Sequence, residues 1–324
     1  MRNASVTEIS KELSVSKSTV SKVLRHCPGV NSDLRAKILQ HANEKKIADD
    51  SNCDFYFIIP DKPGYLWSEL QNTLIAEKNQ RNRRMTVHVY SQLGDETAVL
   101  HYLEDARQKN AGIVILTALM TDRIRSKIKE LLRNALVILL SEYDVVINCP
   151  YVGNDPFLDG KKMGHLYQEK YQDRHLIILI DDYHRNSAER IRGLMTQLRS
   201  ADDISSSQIT TIHLNESVFQ SRKLLPAKLA AELAAHTKGA GSYCIYFPFA
   251  VQNIKLILHK ASLLDRCVCL CHDSDDLDIP GVHCMQNIEH QINEAILMAD
   301  TFLKTLRYPP SKFVYTPPVF HNVT

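Results

Sequence analysis

The residues whose types and spacing best suit one particular chemistry lie near the start of the chain. Basic and hydroxyl side chains fall on one face of a short predicted helix, at Lys17, Ser18, Ser21, Lys22 and Arg25. A helix fits the major groove of DNA, and such side chains donate hydrogen bonds to base edges and phosphates. The spacing therefore indicates a surface suited to a polyanion.

The charge distribution of the chain agrees with this interpretation. Residues 1–47 contain nine Lys/Arg and four Asp/Glu, a net charge of +5, and because the whole chain sums to +2 the rest carries −3. A basic segment ahead of a slightly acidic remainder is typical of a protein that meets nucleic acid. A solvated basic segment with no partner explains the charge equally well.

Two short helices joined by a tight turn would position this basic face. Ser5 followed by Glu8 fits a capping box at the start of the first helix. Ser16 is the predicted N-cap of the second helix, over residues 17–25. A third helix is expected from about residue 32 to residue 46. This arrangement predicts a helix-turn-helix.

Residues 4–46 resemble the headpiece of the LacI/GalR family of bacterial transcription regulators. The run SVSKSTVSKVL carries the resemblance, although Ser14 replaces the glycine usual in the family. The resemblance implies binding to a palindromic double-stranded DNA operator, with bases read by three of these side chains (Lys17, Ser18 and Lys22). The full set of expected DNA contacts is Ser5, Ser16, Lys17, Ser18, Thr19, Ser21 and Lys22.

The segment after the predicted head differs from this family. Family members continue into a hinge helix that enters the minor groove, but here about ten residues are missing before the next apolar run. Asp49 and Asp50 are also poorly suited to lie beside phosphates. We therefore expect residues 49–53 to be a short tether rather than a hinge helix.

The rest of the chain alternates between short apolar runs and amphipathic stretches. Apolar runs of four to six residues separated by helices predict parallel sheets that are covered on both faces. The alternation restarts after about residue 150, which predicts an α/β body of two doubly wound parallel-sheet subdomains behind the small all-α head. This body resembles the periplasmic-binding-protein-like body of the same family.

The resemblance also implies how the chain is divided, with crossings between subdomains near residues 149, 285 and 309. The expected domains are residues 1–48 as the head, 54–149 with 286–309 as the N-terminal subdomain, and 150–285 with 310–324 as the C-terminal subdomain.

In this family a small effector lies between the subdomains, and the resemblance implies which side chains would contact it. Arg190 matches an arginine three residues before a helical glycine, and a guanidinium suits the anchoring of hydroxyl or carboxylate groups. Asp273, after an apolar strand, would accept hydroxyl hydrogens. The complete set of effector-binding candidates is Tyr65, Trp67, Ser141, Arg185, Asn186, Arg190, Phe249 and Asp273. Ser141 and Phe249 stand where the family has polar acidic or amide residues, so a plain hexose is disfavoured and a degenerate pocket stays open.

The cysteines and the hydroxyl groups favour neither a metal site nor catalysis. Cys267, Cys269 and Cys271 alternate, with His272 next and Cys284 downstream. Same-face strand residues are spaced too widely for easy chelation by three consecutive members, and buried cysteine behaves as a small hydrophobe. No phosphate-binding glycine loop or nucleophile elbow occurs, so we expect no catalytic residues, no metal, no cofactor and no enzyme.

These observations lead to one expectation and two alternatives. The chain is expected to be a cytoplasmic, homodimeric, DNA-binding transcription regulator, a repressor that responds to a small effector such as a sugar, a sugar phosphate or a sugar-like molecule, with no membrane partner. One alternative is a regulator with a degenerate pocket whose body only dimerises. The other is a plain solute-binding protein, disfavoured at this point because a signal peptide is lacking and the basic head would be unexplained.

Overall fold

The computed structural model describes most of the body and a large part of the head. The described residues are 6–24, 29–31, 33–35, 37–38, 41, 55–61, 65–80, 85–91, 95–109, 111–142, 144, 146–181, 184–200, 208–215, 224–237, 241–274, 276–305, 309 and 313–323. The expectations for Ser5, Arg25 and the tether at residues 49–53 lie outside them.

The N-terminal segment contains two short helices, α1 (Val6–Glu12) and α2 (Lys17–Leu24). Between them Ser14 has a φ of 52°, so a serine occupies a left-handed position that glycine would favour. The Ser16 hydroxyl accepts a hydrogen bond from the backbone N–H of Thr19 at 3.0 Å, as an N-cap does. The apolar side chains of Ile9, Val20, Val23 and Ile38 form a small core of their own.

The first sheet is built from strands β1 (Phe55–Pro60), β2 (Met85–Tyr90), β3 (Ile113–Leu116), β4 (Leu136–Leu140), β5 (Tyr151–Gly153) and β11 (Phe313–Tyr315). Its strand order is β11-β5-β4-β3-β1-β2, with β1 parallel to β2 and β3, and β4 parallel to β3 and β5. Helices α3 (Tyr65–Gln80), α4 (Glu96–Gln108) and α5 (Asp122–Leu131) alternate with these strands along the chain.

The second sheet repeats this plan with β6 (His175–Asp181), β7 (Ile209–Leu214), β8 (Tyr243–Ala250), β9 (Cys267–His272), β10 (Gly281–Met285) and β12 (Val319–Val323). Its order is β12-β10-β9-β8-β6-β7, and only the β10–β12 pair among the described registers is antiparallel. The helices that alternate with these strands are α6 (Pro156–Lys170), α7 (Arg185–Arg199), α8 (Leu225–His236) and α9 (Ile254–Lys260). The long helix α10 (Ile288–Thr305) follows β10 along the chain and, from Glu289 on, belongs to the same compact unit as the first sheet.

The chain divides into two compact units. The first comprises Met1–Lys62, Leu70–Val152 and Glu289–Val314, and the second comprises Pro63–Glu69, Gly153–Ile288 and Tyr315–Thr324. The second unit has an apolar core on each face of its sheet, and the first has a large core around β1, β3 and β4. Among the described residues, none of the helices is both long enough and apolar enough to span a membrane.

Three local features are not evident from the apolar runs of the sequence. Strand β5 has only three residues, and β10 mixes glycine and histidine with apolar residues, so neither stands out as an apolar run. Helix α6 begins at Pro156, since Asp155 caps it by accepting the N–H of Leu158. Helix α9 begins only at Ile254, because Asn253 before it has a left-handed φ of 57°.

Candidate functional site

Polar groups follow the carboxyl ends of neighbouring parallel strands in the second sheet. Asp181 ends β6, the carbonyl of Pro248 lies near the end of β8, Asp273 follows β9 and Gln286 follows β10. In open α/β sheets, ligands bind outside the carboxyl ends of the strands. This edge of the second sheet is therefore the candidate ligand site.

Arg190 of α7 links two of these strand ends. Its Nη1 donates to the Pro248 carbonyl at 2.9 Å, and its Nη2 lies 3.4 Å from Oδ2 of Asp273. The Asp273 carboxylate also accepts the backbone N–H of Gln286 at Oδ1 and the Gln286 amide N–H at Oδ2, both at 2.9 Å. Arg190 is 4% exposed and Asp273 5%, so this network is shielded from water.

Glycines at a close helix crossing let Arg190 reach this position. A Cβ on Gly160 of α6 would lie 1.8 Å from the backbone oxygen of Arg190, and a Cβ on Gly193 would lie 2.0 Å from the oxygen of Phe157. Helices α6 and α7 therefore pack backbone to backbone at this point. The crossing places Asp159, the neighbour of Gly160, in the same buried region as Arg190.

Burial and neighbouring charges shift the pKa values of Arg190 and Asp159 in opposite directions. Burial by itself lowers the pKa of Arg190, but the carboxylates of Asp273 and Asp159 outweigh it, so its pKa is raised and the guanidinium stays charged. Burial raises the pKa of Asp159 to about 6, because the opposing effects of Arg190 and of a hydrogen bond from Asn154 do not compensate for the lost hydration. The region thus holds one guanidinium and two carboxyl groups.

A second polar group lies at the start of α7. The ring of His184 contacts the buried Asp181 carboxylate through Nδ1, and the Ser187 hydroxyl lies 3.5 Å from the same oxygen. Arg185 is exposed and Asn186 is half-buried in the first turn of the helix. Arg185 and Asn186, both predicted effector contacts, therefore lie beside the end of β6 with side chains that reach the surface.

One group of side chains could hold a metal ion. A carboxylate oxygen of Asp159, a ring nitrogen of His272 and the sulfur of Cys284 lie within 4.8 Å of one another, and all three residues are buried. By contrast, Cys267, Cys269 and Cys271 lie in the apolar core on the other face of the sheet. A hydrogen bond with Cys267 lowers the pKa of the Cys269 thiol, but a hydrogen bond with Cys271 and burial outweigh it, so this pKa is raised.

The other predicted effector contacts are distributed differently. Phe249 is 6% exposed and packs edge-on against Phe247 in the apolar core of the second unit. Ser141, at the end of β4 in the first unit, has a φ of 62° and donates to the Gln291 side chain at 2.7 Å. Tyr65 and Trp67 lie in the first turn of α3, and their side chains are outside the described part of the structure.

Among the residues expected to contact DNA, some hydroxyl groups are hydrogen-bonded to one another and the lysines are exposed to solvent. The Ser16 hydroxyl lies 2.7 Å from that of Ser18 and 2.8 Å from that of Thr19. Lys17 and Lys22 are exposed, and Ser21 is half-buried. Exposed lysines of this kind suit a solvated basic face and a DNA-contacting face equally.

A surface groove of about 490 Å³ lies between α4 and α5 of the first unit. Its charged side chains bind one another, since Lys127 lies 3.1 Å from Glu130 and also contacts Glu104. Such a groove offers a ligand few unpaired polar groups. It is a weaker candidate site than the strand ends of the second sheet.

Comparison with solved structures shows what fold these two units form. The myo-inositol binding protein of Caulobacter, solved with myo-inositol, is 17% identical over 83% of this chain and 93% of its own, with a TM-score of 0.67. A glucose-galactose binding protein from Geobacillus stearothermophilus is 14% identical over 83% and 97% of the two chains, with a TM-score of 0.66. A periplasmic solute-binding protein of an ABC transporter from Actinobacillus succinogenes, solved with D-allose, is 14% identical over 83% and 96%, with a TM-score of 0.64.

The chain therefore has the two-sheet α/β body of the periplasmic-binding-protein-like fold, and the part of the fold-class expectation that concerns this body is confirmed. No family model matches the sequence, and no curated protein does either. Identities this low show the fold alone.

The expectation of a DNA-binding transcription regulator is wrong. The matched structures are binding proteins for sugars or myo-inositol, one of them from an ABC transporter, and they match the solute-binding alternative rather than a regulator. A cytoplasmic location has no support from these matches. The head resemblance covers only 43 residues, whereas the much longer body that follows has the fold of the solute-binding structures.

The family resemblance implied Arg190 and Asp273 as effector contacts, which stays a prediction, but it gave no sign of the residues around them. Asp159, Gln286 and the Pro248 carbonyl have no motif of their own, and tertiary contacts alone bring them to Arg190. One usable signal was present, since Asp155-Pro156 marks the helix start that places Asp159 in the first turn of α6.

Proposed function

We propose that this protein is a non-catalytic binding protein for a sugar or a sugar-like polyol, with Arg190 and Asp273 as polar anchors at the strand ends of the second unit. The observation that carries this proposal is the buried network of Arg190, Asp273 and Gln286. Planar guanidinium and carboxylate groups suit polyols, because each offers a pair of parallel donors or acceptors.

The matched proteins support the choice of ligand class. The structures with the same fold were solved with D-allose and myo-inositol, and a further one with D-arabinose. All three are small, uncharged and rich in hydroxyl groups. A site that binds such a ligand needs donors and acceptors held in position before binding, which the contacts to Pro248 and Gln286 supply.

Thermal unfolding in the presence of candidate ligands tests this proposal. We expect at least one of D-allose, D-arabinose, D-glucose, D-galactose and myo-inositol to raise the melting temperature of the full-length protein. A ligand at 100 times its dissociation constant adds about 2.7 kcal/mol to the free energy of unfolding. Absence of a shift with every one of these compounds would contradict the proposal.

The substitution Arg190→Lys tests the site itself. It keeps the charge but removes the planar fork, so we expect the affinity for the stabilising ligand to fall at least about tenfold. The matched control is Arg192→Lys on the same helix, where the side chain is exposed, pairs with Glu189 and lies over the Phe157 ring. Isothermal titration would measure both, and equal affinities in the two variants would rule out Arg190 as an anchor.

We also infer, at the level of fold only, that α1 and α2 form a helix-turn-helix unit ahead of the binding body. The left-handed Ser14, the Ser16 cap and the small apolar core around Val20 support this inference. DNA binding forms no part of it. The substitution Val20→Asp tests this unit, because it places a charge in that core.

A further inference from the structure

The buried trio of Asp159, His272 and Cys284 has the composition and spacing of a metal site. His272 and Cys284 are register partners on the parallel strands β9 and β10, so their side chains leave the same face of the sheet side by side. Asp159 comes from α6, which covers that face. Their candidate ligand atoms lie within 4.8 Å of one another.

Two of the three candidate metal ligands, His272 and Asp159, are each oriented by a neighbouring side chain. The Tyr246 hydroxyl lies 3.0 Å from Nε2 of His272, which leaves Nδ1 buried and without a hydrogen-bond partner among the described residues. The Asn154 amide donates to Oδ2 of Asp159 at 3.0 Å. Metal-binding histidines and carboxylates are held in this way by a second set of residues, which sets the ring orientation and the free nitrogen.

The buried charges also fit a dication. Arg190 contributes one positive charge, against the carboxylates of Asp159 and Asp273. A divalent ion bound to a deprotonated Cys284 brings two positive charges and one negative, so the sum over the cluster is zero. Unpaired charge in a dry region is costly, which favours this neutral arrangement.

We propose that Asp159, His272 and Cys284 bind a divalent metal ion of the zinc class beneath the candidate ligand site. A carboxylate oxygen, an imidazole nitrogen and a thiolate together suit Zn²⁺ or Co²⁺ rather than Mg²⁺ or Ca²⁺. Tetrahedral coordination separates such ligand atoms by about 3.4–3.6 Å, so closure by about 1 Å of side-chain movement is sufficient. On binding, a metal–sulfur bond replaces the S–H bond of Cys284, and the proton passes to solvent.

Cobalt titration of the metal-free, full-length protein is the direct test. The Co²⁺–thiolate bond gives a near-ultraviolet charge-transfer band, and tetrahedral Co²⁺ gives intense visible bands. We expect both bands to saturate at one equivalent and to disappear when Zn²⁺ is added. The titration is best done with Cys27 and Cys53 replaced by serine, so that fewer thiols compete.

Two cysteine variants distinguish this site from other thiols. Cys284→Ser should abolish the charge-transfer band, whereas Cys269→Ser, a matched change of a buried cysteine on the opposite face of the same sheet, should leave it intact. Circular dichroism and thermal melting would verify that each variant is folded. A band that survives in Cys284→Ser, or that is lost in both variants, would overturn the proposal.

The variant Asp159→Asn gives an independent readout without a change in side-chain volume. We expect the affinity for Co²⁺ to fall at least about 100-fold, since a neutral amide is a poor ligand. An unchanged affinity for Co²⁺ would exclude Asp159 as a metal ligand. The cobalt titration contains no sugar, so failure of the metal-site proposal can be distinguished from failure of the sugar-binding proposal.

Discussion

Arg190 carries a positive charge into a region that water does not reach. Removing a charge from water costs several kcal/mol unless partners compensate, and here Asp273 and the Pro248 carbonyl take the place of the lost hydration. Asp159 adds to the negative potential around the guanidinium. Arg190 is thus held in one orientation before any ligand arrives, which lowers the entropy cost of binding.

The first unit contains another buried carboxylate that is paired with an arginine, and the energetics of such a pair can be measured more simply there. Asp144 is bonded to Arg125 at 2.8 Å and accepts the backbone N–H groups of Val146 and Ile147 at 2.8 and 3.0 Å. Burial raises the pKa of Asp144, but these hydrogen bonds outweigh it and hold the pKa below its usual value of 3.8.

We expect Asp144→Asn to lower the free energy of unfolding by about 2 kcal/mol at neutral pH. The folded-state pKa lies below the unfolded one, so the contribution of Asp144 is fully present above pH 3.8 and is lost as the pH falls through the folded-state value. The difference between wild type and variant should therefore shrink in acid. Urea unfolding between neutral and acidic pH measures it.

Asp122→Asn is the control for this measurement. Asp122 binds the same arginine at 2.8 Å, but its side chain is 99% exposed, so its pair contributes little. A loss in Asp122→Asn as large as in Asp144→Asn would show that burial is not the source of the effect.

At the scale of elements, the crossing of α6 and α7 is the feature that positions the site. Gly160, Gly164 and Gly193 lie at this contact, each with space for a hydrogen but not for a methyl group. The crossing holds Asp159 on one helix and Arg190 on the other. Strand β10 positions the proposed metal ligands, since its register with β9 places Cys284 beside His272.

We expect Gly160→Ala to destabilise the second unit by at least about 2 kcal/mol, because the new methyl group would lie 1.8 Å from the Arg190 carbonyl oxygen and the helices must separate. The matched control is Gly241→Ala, whose Cβ would meet only the Tyr243 ring, at 3.5 Å. Urea unfolding and sugar titration should show both stability and binding reduced in the first variant only. Full stability in Gly160→Ala would mean that the crossing is looser than described.

At the scale of the whole molecule, the apolar cores are separate. The small core of α1 and α2 contains Ile9, Val20, Val23 and Ile38, and its members do not recur in the cores of the two sheets. Separate cores allow separate unfolding, because cooperativity depends on shared contacts.

We therefore expect Val20→Asp to unfold α1 and α2 while the body stays folded. Amide hydrogen exchange should lose protection in these two helices, whereas strands β1–β4 and β6–β10 keep it and sugar affinity is unchanged. Val15→Asp is a milder comparison, since Val15 is only half-buried at the edge of the same core. Loss of protection in the body strands would show that the head and body unfold together.

The sequence by itself determined most of the strands and the two-sheet architecture. The runs at β3 and β4 are uniformly apolar and uniformly buried, so local pattern and final burial agree there. In β2 they do not agree, since Val89 is 40% exposed. Arg190 and Asp273 were candidates only through the family resemblance, and their role as ligand contacts stays a prediction. The sequence did not identify β10, because five residues containing glycine and histidine carry no periodic signal.

Only the tertiary structure decided which polar residues meet. Asp159 and Arg190 are 31 positions apart, and they come together because glycines allow two helix backbones to touch. His272 and Cys284 become neighbours through a strand register that depends on hydrogen bonds between β9 and β10. Such contacts follow from long-range packing rather than local pattern, so the network around Arg190 and the trio beneath it could not be predicted from the chain alone.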